Sequence, residues 1–238
     1  MDQLEEFGLE IVADIVDPRI VLRPISSFED LNLKDGLMQG IRDCRSENLS
    51  KLQQHVLPLI MLQKSPQNVL VDSRSIGAYN SIVTYSVPAL NSIDSTISDT
   101  QVLVLVFSRE LSWNVRSCIM DYAKNMPEVT FAPRMIDVAP REKVQGHVMV
   151  STPGKLALMI RRQMVDVTNV KMVVIDRMDE MLDMGGLEDL ILSLKRYLPE
   201  EIQILMFTEY CSTRVQEFSR RMTGDNVDMI RAKSMSST

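Results

Sequence analysis

The amino-acid sequence predicts one α/β domain built on a doubly wound, mainly parallel sheet. Short apolar runs and helical segments alternate along most of the chain, without an internal repeat or a low-complexity linker. Several runs, such as 101–107, are continuously apolar, which is typical of strands covered on both faces. The chain has 238 residues, 45% hydrophobic and 24% charged, and this size and mixture suit a globular domain with a substantial core.

Residues 1–27 are predicted to form an N-terminal extension that lies on the domain. Their apolar residues lack a clean period, and Pro18 and Pro24 interrupt the second half of the segment. The domain itself is expected to cover 28–232, with a polar tail after it at 233–238.

The first two helices are predicted from the spacing of apolar residues. Residues 29–42 carry apolar positions at helical intervals. Ser50 is a suitable N-cap for a second helix over 50–63.

Strands and helices then alternate. The strands are predicted from short runs of β-branched and other apolar residues at 68–72, 101–107, 129–131, 147–151, 171–176, 202–207 and 226–230. The helices between them are predicted from one-sided apolar patterns at 78–90, 109–125, 153–163, 178–184, 187–197 and 212–223. A short connector is expected at 137–144.

Composition narrows the function. The net charge of −6 argues against nucleic-acid binding by bulk charge, and no apolar run is long enough to span a membrane. The acidic start at residues 1–6 is unlike a signal or transit peptide. Three separated cysteines, Cys44, Cys118 and Cys211, are typical of reduced thiols in an intracellular protein, and we expect a cytoplasmic rather than a nuclear one.

Polar residues come after most of the predicted strands, and ligands of doubly wound sheets bind at these carboxyl ends. The segments, in chain order, are Ser73-Arg74-Ser75-Ile76-Gly77-Ala78-Tyr79-Asn80, Ser108-Arg109-Glu110-Leu111, Thr152-Pro153-Gly154-Lys155, Asp176-Arg177-Met178-Asp179 and Phe207-Thr208-Glu209. Gln53 precedes them all, 25 residues after Phe28.

This order and spacing resembles the first RecA-like domain of DEAD-box RNA helicases, over roughly 28–232, and is most similar to the translation-initiation and exon-junction members. The resemblance implies a RecA-like fold of the P-loop NTPase type. The second RecA-like domain of the family has no counterpart in these residues.

The resemblance also implies a nucleotide site whose motifs depart from the family pattern. Tyr79 and Asn80 stand where the family has its phosphate-binding lysine and magnesium-binding hydroxyl. Arg177 replaces the glutamate that activates water, and an arginine stays protonated. Phe207 and Glu209 belong to an altered hydroxyl motif. We therefore expect a pseudo-helicase that is not an enzyme and has no cofactor.

Remnants of the nucleotide site are Phe28, Gln53, Asp176 and Asp179, while the aromatic that would stack on adenine is replaced by Ser46. The two aspartates could hold a metal, but pairing with arginine or capping of backbone amides is favoured, so no metal site is predicted. Gln53 is favoured as a structural amide.

The RNA side of the motif set is better preserved. Arg109, Thr152, Gly154 and Lys155 are the candidates for RNA contacts. The alternatives are an ion pair of Arg109 with its neighbour Glu110, and a helix cap at Thr152. Trp113 and Met120 are favoured as core residues over a partner surface.

These residues leave three functions open. The favoured one is a protein scaffold or adaptor in RNA processing, translation control or a small-RNA pathway, with HEAT-repeat or RNA-granule proteins as partners. The second is weak binding of single-stranded RNA, and the least favoured is an active ATP-dependent helicase domain. Neither DNA nor a membrane is expected as a partner.

Overall fold

The computed structural model describes residues 9–74, 77–133 and 142–234. Within them, seven strands form one sheet. The strands are β1 (Leu9–Asp14), β2 (Val69–Asp72), β3 (Val102–Leu105), β4 (Val148–Ser151), β5 (Met172–Ile175), β6 (Gln203–Thr208) and β7 (Asp228–Ser234). Their spatial order is β1-β7-β2-β6-β5-β3-β4, and every neighbouring pair is parallel except β1 with β7.

A 3₁₀ helix at Phe28–Leu31 follows β1. One or two α-helices then separate each strand from the next. The α-helices are α1 (Asp35–Asp43), α2 (Lys51–Met61), α3 (Gly77–Ser92), α4 (Arg109–Tyr122), α5 (Pro153–Arg161), α6 (Met178–Asp183), α7 (Leu187–Lys195) and α8 (Thr213–Thr223). Ser50 caps α2 as predicted, since its hydroxyl accepts the Gln53 N–H. Among the described helices, none is both long and apolar enough to cross a bilayer.

The sheet separates two apolar layers, because successive strand residues point to opposite faces. Val69 and Val71 contribute to the layer beneath α1 to α4, whereas Leu70 between them contributes to the layer beneath α5 to α8. Helices therefore cover both faces, which confirms the predicted doubly wound architecture.

The helix α1 packs closely against the end of α4 through a glycine. A Cβ atom on Gly40 would lie 2.0 Å from the backbone oxygen of Tyr122. The position therefore requires glycine for its small size, and the contact helps to position α4.

Part of the N-terminal segment belongs to the sheet, which the sequence did not predict. Residues 9–14 lie within the predicted extension but form the edge strand β1, which pairs with β7 from Leu9↔Ser234 to Asp14↔Met229. The sequence pattern missed this strand because its pairing partner lies at the other end of the chain. Ser234, predicted to belong to the polar tail, lies in β7, which extends beyond the predicted strand at 226–230. Residues 235–238 lie outside the described residues.

Two predicted elements differ in the structure. The helix predicted over 29–42 is interrupted, because Asn32 adopts a left-handed conformation (φ 50°) that ends the 3₁₀ helix. The strand predicted over 129–131 is only an isolated bridge of Phe131 to Val148. Here the Thr130 N–H donates to the His147 ring rather than to a ladder. Most of the connector predicted at 137–144 lies outside the described residues.

Candidate functional site

The carboxyl ends of β2, β6, β5, β3 and β4 lie side by side along one edge of the sheet, in that spatial order. Most of the residues singled out in the sequence lie along this edge, in two groups. The central cluster lies after β2, β6 and β5 and consists of Asp72, Arg74, Asp176, Arg177, Asp179, Glu209 and Tyr210. The β3–β4 pocket lies between the starts of α4 and α5.

Asp176 is the most buried acid of the central cluster after Asp72. Its carboxylate accepts a hydrogen bond from the Tyr85 hydroxyl at 3.1 Å, and its backbone N–H donates to Leu105 O of β3. Burial raises the pKa of Asp176 to about 6, although the Tyr85 hydrogen bond and the charge of Arg177 oppose this shift. The Tyr85 ring in turn packs edge-on against buried Phe207, with ring centroids 5.2 Å apart.

Arg177 pairs with two glutamate carboxylates. Its guanidinium donates to Glu180 at 2.9 Å and lies 3.5 Å from the Glu209 carboxylate. The residue precedes α6 in a left-handed conformation (φ 52°), in the turn after β5. Asp179, within the first turn of α6, accepts the backbone N–H groups of Glu209 and Tyr210.

A second buried acid lies at the end of β2. The partly exposed Arg74 forms a bidentate ion pair with Asp72. Arg74 Nη2 donates to Asp72 Oδ2 at 2.7 Å, and Arg74 Nε donates to Asp72 Oδ1 at 3.1 Å. The Arg74 guanidinium also lies over the Tyr210 ring, 5.5 Å from its centroid. Within the described residues, no group of three or more potential ligands is arranged to hold a metal ion.

The remaining nucleotide-side candidates lie in the adjoining layer. Gln53 is buried, and its amide accepts the Ser50 N–H and donates to Asn80 O and the Thr84 hydroxyl. Phe28 is a core residue beside α2. Ser46 hydrogen-bonds the Tyr122 hydroxyl at 2.7 Å. The side chain of Tyr79 lies outside the part of the chain that the structure describes.

The β3–β4 pocket has a volume of about 400 Å³. Its described lining consists of Arg109, Glu110, Ser112, Trp113, Arg116, Pro133, Val150, Ser151, Thr152 and Lys155. The structure thus brings together Arg109, Thr152 and Lys155, and Gly154 lies in the same turn with open space where a Cβ would be.

Helix α4 supplies one wall of the pocket. Ser108 caps this helix by accepting the Leu111 N–H, so α4 begins shortly after β3. Four lining residues of α4 recur at helical spacing and share one face: Arg109, Ser112, Trp113 and Arg116. The sequence analysis selects only Arg109 from this face as an RNA contact. The i, i+3, i+4 and i+7 spacing would also have indicated Ser112, Trp113 and Arg116.

Helix α5 supplies the opposite wall. Thr152 precedes it with an extended backbone, and Pro153 occupies the first turn, where a missing N–H costs little. Within the described residues, the Thr152 hydroxyl makes no capping hydrogen bond. In the same part of the chain, neither Arg109 nor Lys155 forms an ion pair, so the alternative pairing with Glu110 is not observed.

The expectation that Trp113 and Met120 belong to the core is wrong. Trp113 is 43% exposed and Met120 39% exposed. The buried residues of α4 are Val115, Ile119 and Tyr122, which lie on another face of the helix. A large apolar side chain at a helical position is typical of a core residue, but the phase of this helix turns both side chains outward.

Curated proteins with similar sequences include ATP-dependent RNA helicases. The chain is 31% identical, over 94% of its length, to the ATP-dependent RNA helicase dbp5 of Schizosaccharomyces pombe. The aligned region covers 44% of that relative, so the chain spans less than half its length.

Solved structures of similar fold include two of Saccharomyces cerevisiae Dbp5. One, bound to RNA and ADP BeF3, has a TM-score of 0.78 and 26% identity, over 86% of this chain and 51% of that one. A variant bound to Nup159, Gle1, IP6 and ADP has a TM-score of 0.77 and 25% identity, over 84% of this chain and 52% of that one.

These relatives overturn one expectation from the sequence. The replacements at Tyr79, Asn80 and Arg177 predict a protein that is not an enzyme. Several relatives at 30–32% identity are ATP-dependent RNA helicases, and one solved structure contains RNA with ADP BeF3. The chain therefore has enzymes as its relatives, and departures at single motif positions do not justify the prediction.

The family assignment itself rests on most of the chain. Residues 50–214 match the DEAD/DEAH box helicase family, and this range contains the central cluster and the β3–β4 pocket. The fold is that of the RecA-like domains of these helicases, as the sequence resemblance implied. The chain belongs to the DEAD/DEAH box helicase family.

Proposed function

We propose that this chain binds single-stranded RNA in the β3–β4 pocket and serves as an RNA-binding domain of a DEAD-box protein. One observation carries the proposal. Arg109 and Lys155 both line a pocket of about 400 Å³, and neither cation forms an ion pair among the described residues.

The chemistry of the pocket suits a sugar–phosphate backbone. Arginine and lysine neutralise phosphate charge, and the Thr152 hydroxyl is a further hydrogen-bond donor. The starts of α4 and α5 both line the pocket and carry the partial positive charge of helix N-termini. The relative from Saccharomyces cerevisiae has been solved with RNA bound, which supports RNA as the ligand.

The charge of the whole chain opposes tight binding. The chain carries −6 overall, and Glu110 lies in the pocket itself. Affinity therefore depends on a few local contacts rather than on a long-range positive field. We expect binding that is weak and strongly weakened by salt.

Anisotropy of a fluorescently labelled single-stranded RNA at low salt tests the proposal. Arg109→Gln and Lys155→Gln should each weaken binding about tenfold, since each removes a charged phosphate contact. Arg161→Gln is the matched control, because Arg161 is an exposed cation in the last turn of α5 and does not line the pocket. Absence of binding by the unmodified chain, or equal losses in all three variants, would contradict the proposal.

ATP-dependent action on RNA is a second candidate for the whole protein. The relatives at 30–32% identity support this candidate, because they are named ATP-dependent RNA helicases. Magnesium-dependent thermal stabilisation by ATP tests nucleotide binding, because a ligand that binds only the native state raises its stability.

Binding to other proteins is also open to test. The Dbp5 variant solved with Nup159 and Gle1 supports protein partners for proteins of this family. An adaptor role, HEAT-repeat or RNA-granule partners, a small-RNA pathway and a cytoplasmic location stay predictions. Affinity purification with and without RNase separates protein partners from RNA-bridged ones.

A further inference from the structure

The wall of the β3–β4 pocket contains one large aromatic side chain that the fold does not use for its core. Trp113 lines the pocket and is 43% exposed. It is also the only tryptophan of the chain. An exposed indole within a cationic pocket indicates a ligand that offers both negative charge and a flat apolar surface.

The position of Trp113 on α4 relates it directly to the phosphate-binding candidates. Trp113 comes four residues after Arg109, so their Cβ atoms lie about 5–6 Å apart on the same helix face. Lys155 reaches the pocket from the opposite wall. A single ligand can therefore contact a cation and the indole together.

The wall around Trp113 is suited to an apolar ring, and contacts within the protein hold its side chains in place. Pro133 and Val150 add apolar lining beside Trp113. Arg116, one turn further along α4, donates to Ala132 O at 3.2 Å and lies over the Phe131 ring at 5.7 Å from its centroid. Its guanidinium is thus engaged with the wall.

We propose that Trp113 stacks against a nucleobase of the single-stranded RNA whose phosphates contact Arg109 and Lys155. This inference rests on the proposed function and adds a base-binding residue to it. Every base presents a π-face, so the contact favours unpaired bases over paired ones without selecting a sequence. A base within a duplex is already stacked on its neighbours and cannot cover the indole in this way.

The intrinsic fluorescence of Trp113 provides the test, since the emission comes from this one residue. Each RNA titration is monitored by both tryptophan emission and anisotropy of the labelled RNA. We expect single-stranded RNA to quench the emission over the same concentrations that raise the anisotropy. An abasic oligonucleotide of the same length should leave most of the emission unchanged.

Variants separate stacking from charge. Trp113→Leu should weaken binding about 5- to 150-fold, the range for loss of a base–aromatic stack, and Trp113→Phe should retain most of the affinity. Tyr197→Leu is the matched control, because Tyr197 is an exposed aromatic just beyond α7, outside the pocket lining. Its affinity should be unchanged.

The outcomes distinguish the two proposals. If RNA binds and depends on Arg109 and Lys155, but Trp113 emission is unaffected or Trp113→Leu binds normally, the stacking proposal is overturned and the proposed function stands. Equal quenching by the abasic oligonucleotide also overturns stacking. If RNA does not bind at all, the proposed function fails and stacking fails with it.

Discussion

Asp176 shows how burial and hydrogen bonding compete at one residue. Burial raises its pKa from an ordinary 3.8 to about 6, while the Tyr85 hydroxyl and Arg177 act in the opposite direction. The folded protein therefore holds this proton more tightly than the unfolded chain does. Stability contributed by the protonated form is present below about pH 4 and is lost as the pH rises to about 6.

Asp176→Asn should remove this pH dependence. The difference in unfolding free energy between the unmodified protein and the variant should fall by up to about 3 kcal/mol between pH 4 and pH 7, because the variant has no proton to lose. Urea denaturation at a series of pH values measures it. Tyr85→Phe gives the matched test, since loss of its hydrogen bond should extend the pH-sensitive range above 6. If the difference in unfolding free energy between the unmodified protein and Asp176→Asn stays constant with pH, the buried Asp176 carboxyl does not cause the pH dependence.

At the scale of elements, the contact between α1 and α4 depends on the absence of a side chain. A Cβ on Gly40 would approach Tyr122 O to 2.0 Å and Tyr122 C to 2.8 Å, and backbone atoms cannot rotate away as a flexible side chain would. Gly40→Ala should therefore lower the unfolding free energy by about 1–3 kcal/mol, despite the better helix propensity of alanine.

The midpoint of urea denaturation measures this effect. Gly154→Ala is the matched control, because a Cβ on Gly154 meets no atom within 4 Å. Its stability should be unchanged or slightly raised. Equal midpoints for the two variants would show that α1 and α4 can separate without cost.

Most elements could be predicted because their causes are local. A buried strand such as β5 is a continuous apolar run, and α2 begins at a side-chain cap, so short windows of sequence contain the evidence. The edge strand β1 could not be predicted in this way, because it exists through pairing with β7 at the far end of the chain. The 129–131 segment has strand-like residues, but its hydrogen bonds go partly to His147.

At the scale of the whole molecule, one sheet edge collects residues from distant parts of the sequence. The rule that ligands bind at carboxyl strand ends pointed to the segments that follow the strands. The resemblance to DEAD-box helicases then singled out Arg109, Thr152 and Lys155, which the structure brings into one pocket. Trp113 was missed because residue type alone indicates a core position. Its exposure depends on the phase of α4, and that phase is set by the burial of Val115 and Ile119.

The chain spans less than half the length of the relatives that it matches, so its own RNA contacts must be measured directly. The most direct measurement is the salt dependence of its affinity for single-stranded RNA, compared with that of the Arg109→Gln, Lys155→Gln double variant. Each phosphate contact contributes about −0.7 to the slope of log K against log salt concentration for a single strand. From two such contacts, we expect the double variant to bind more weakly, with a slope about 1.4 less steep than that of the unmodified chain. Identical affinities and slopes for the two proteins would contradict RNA binding in the β3–β4 pocket.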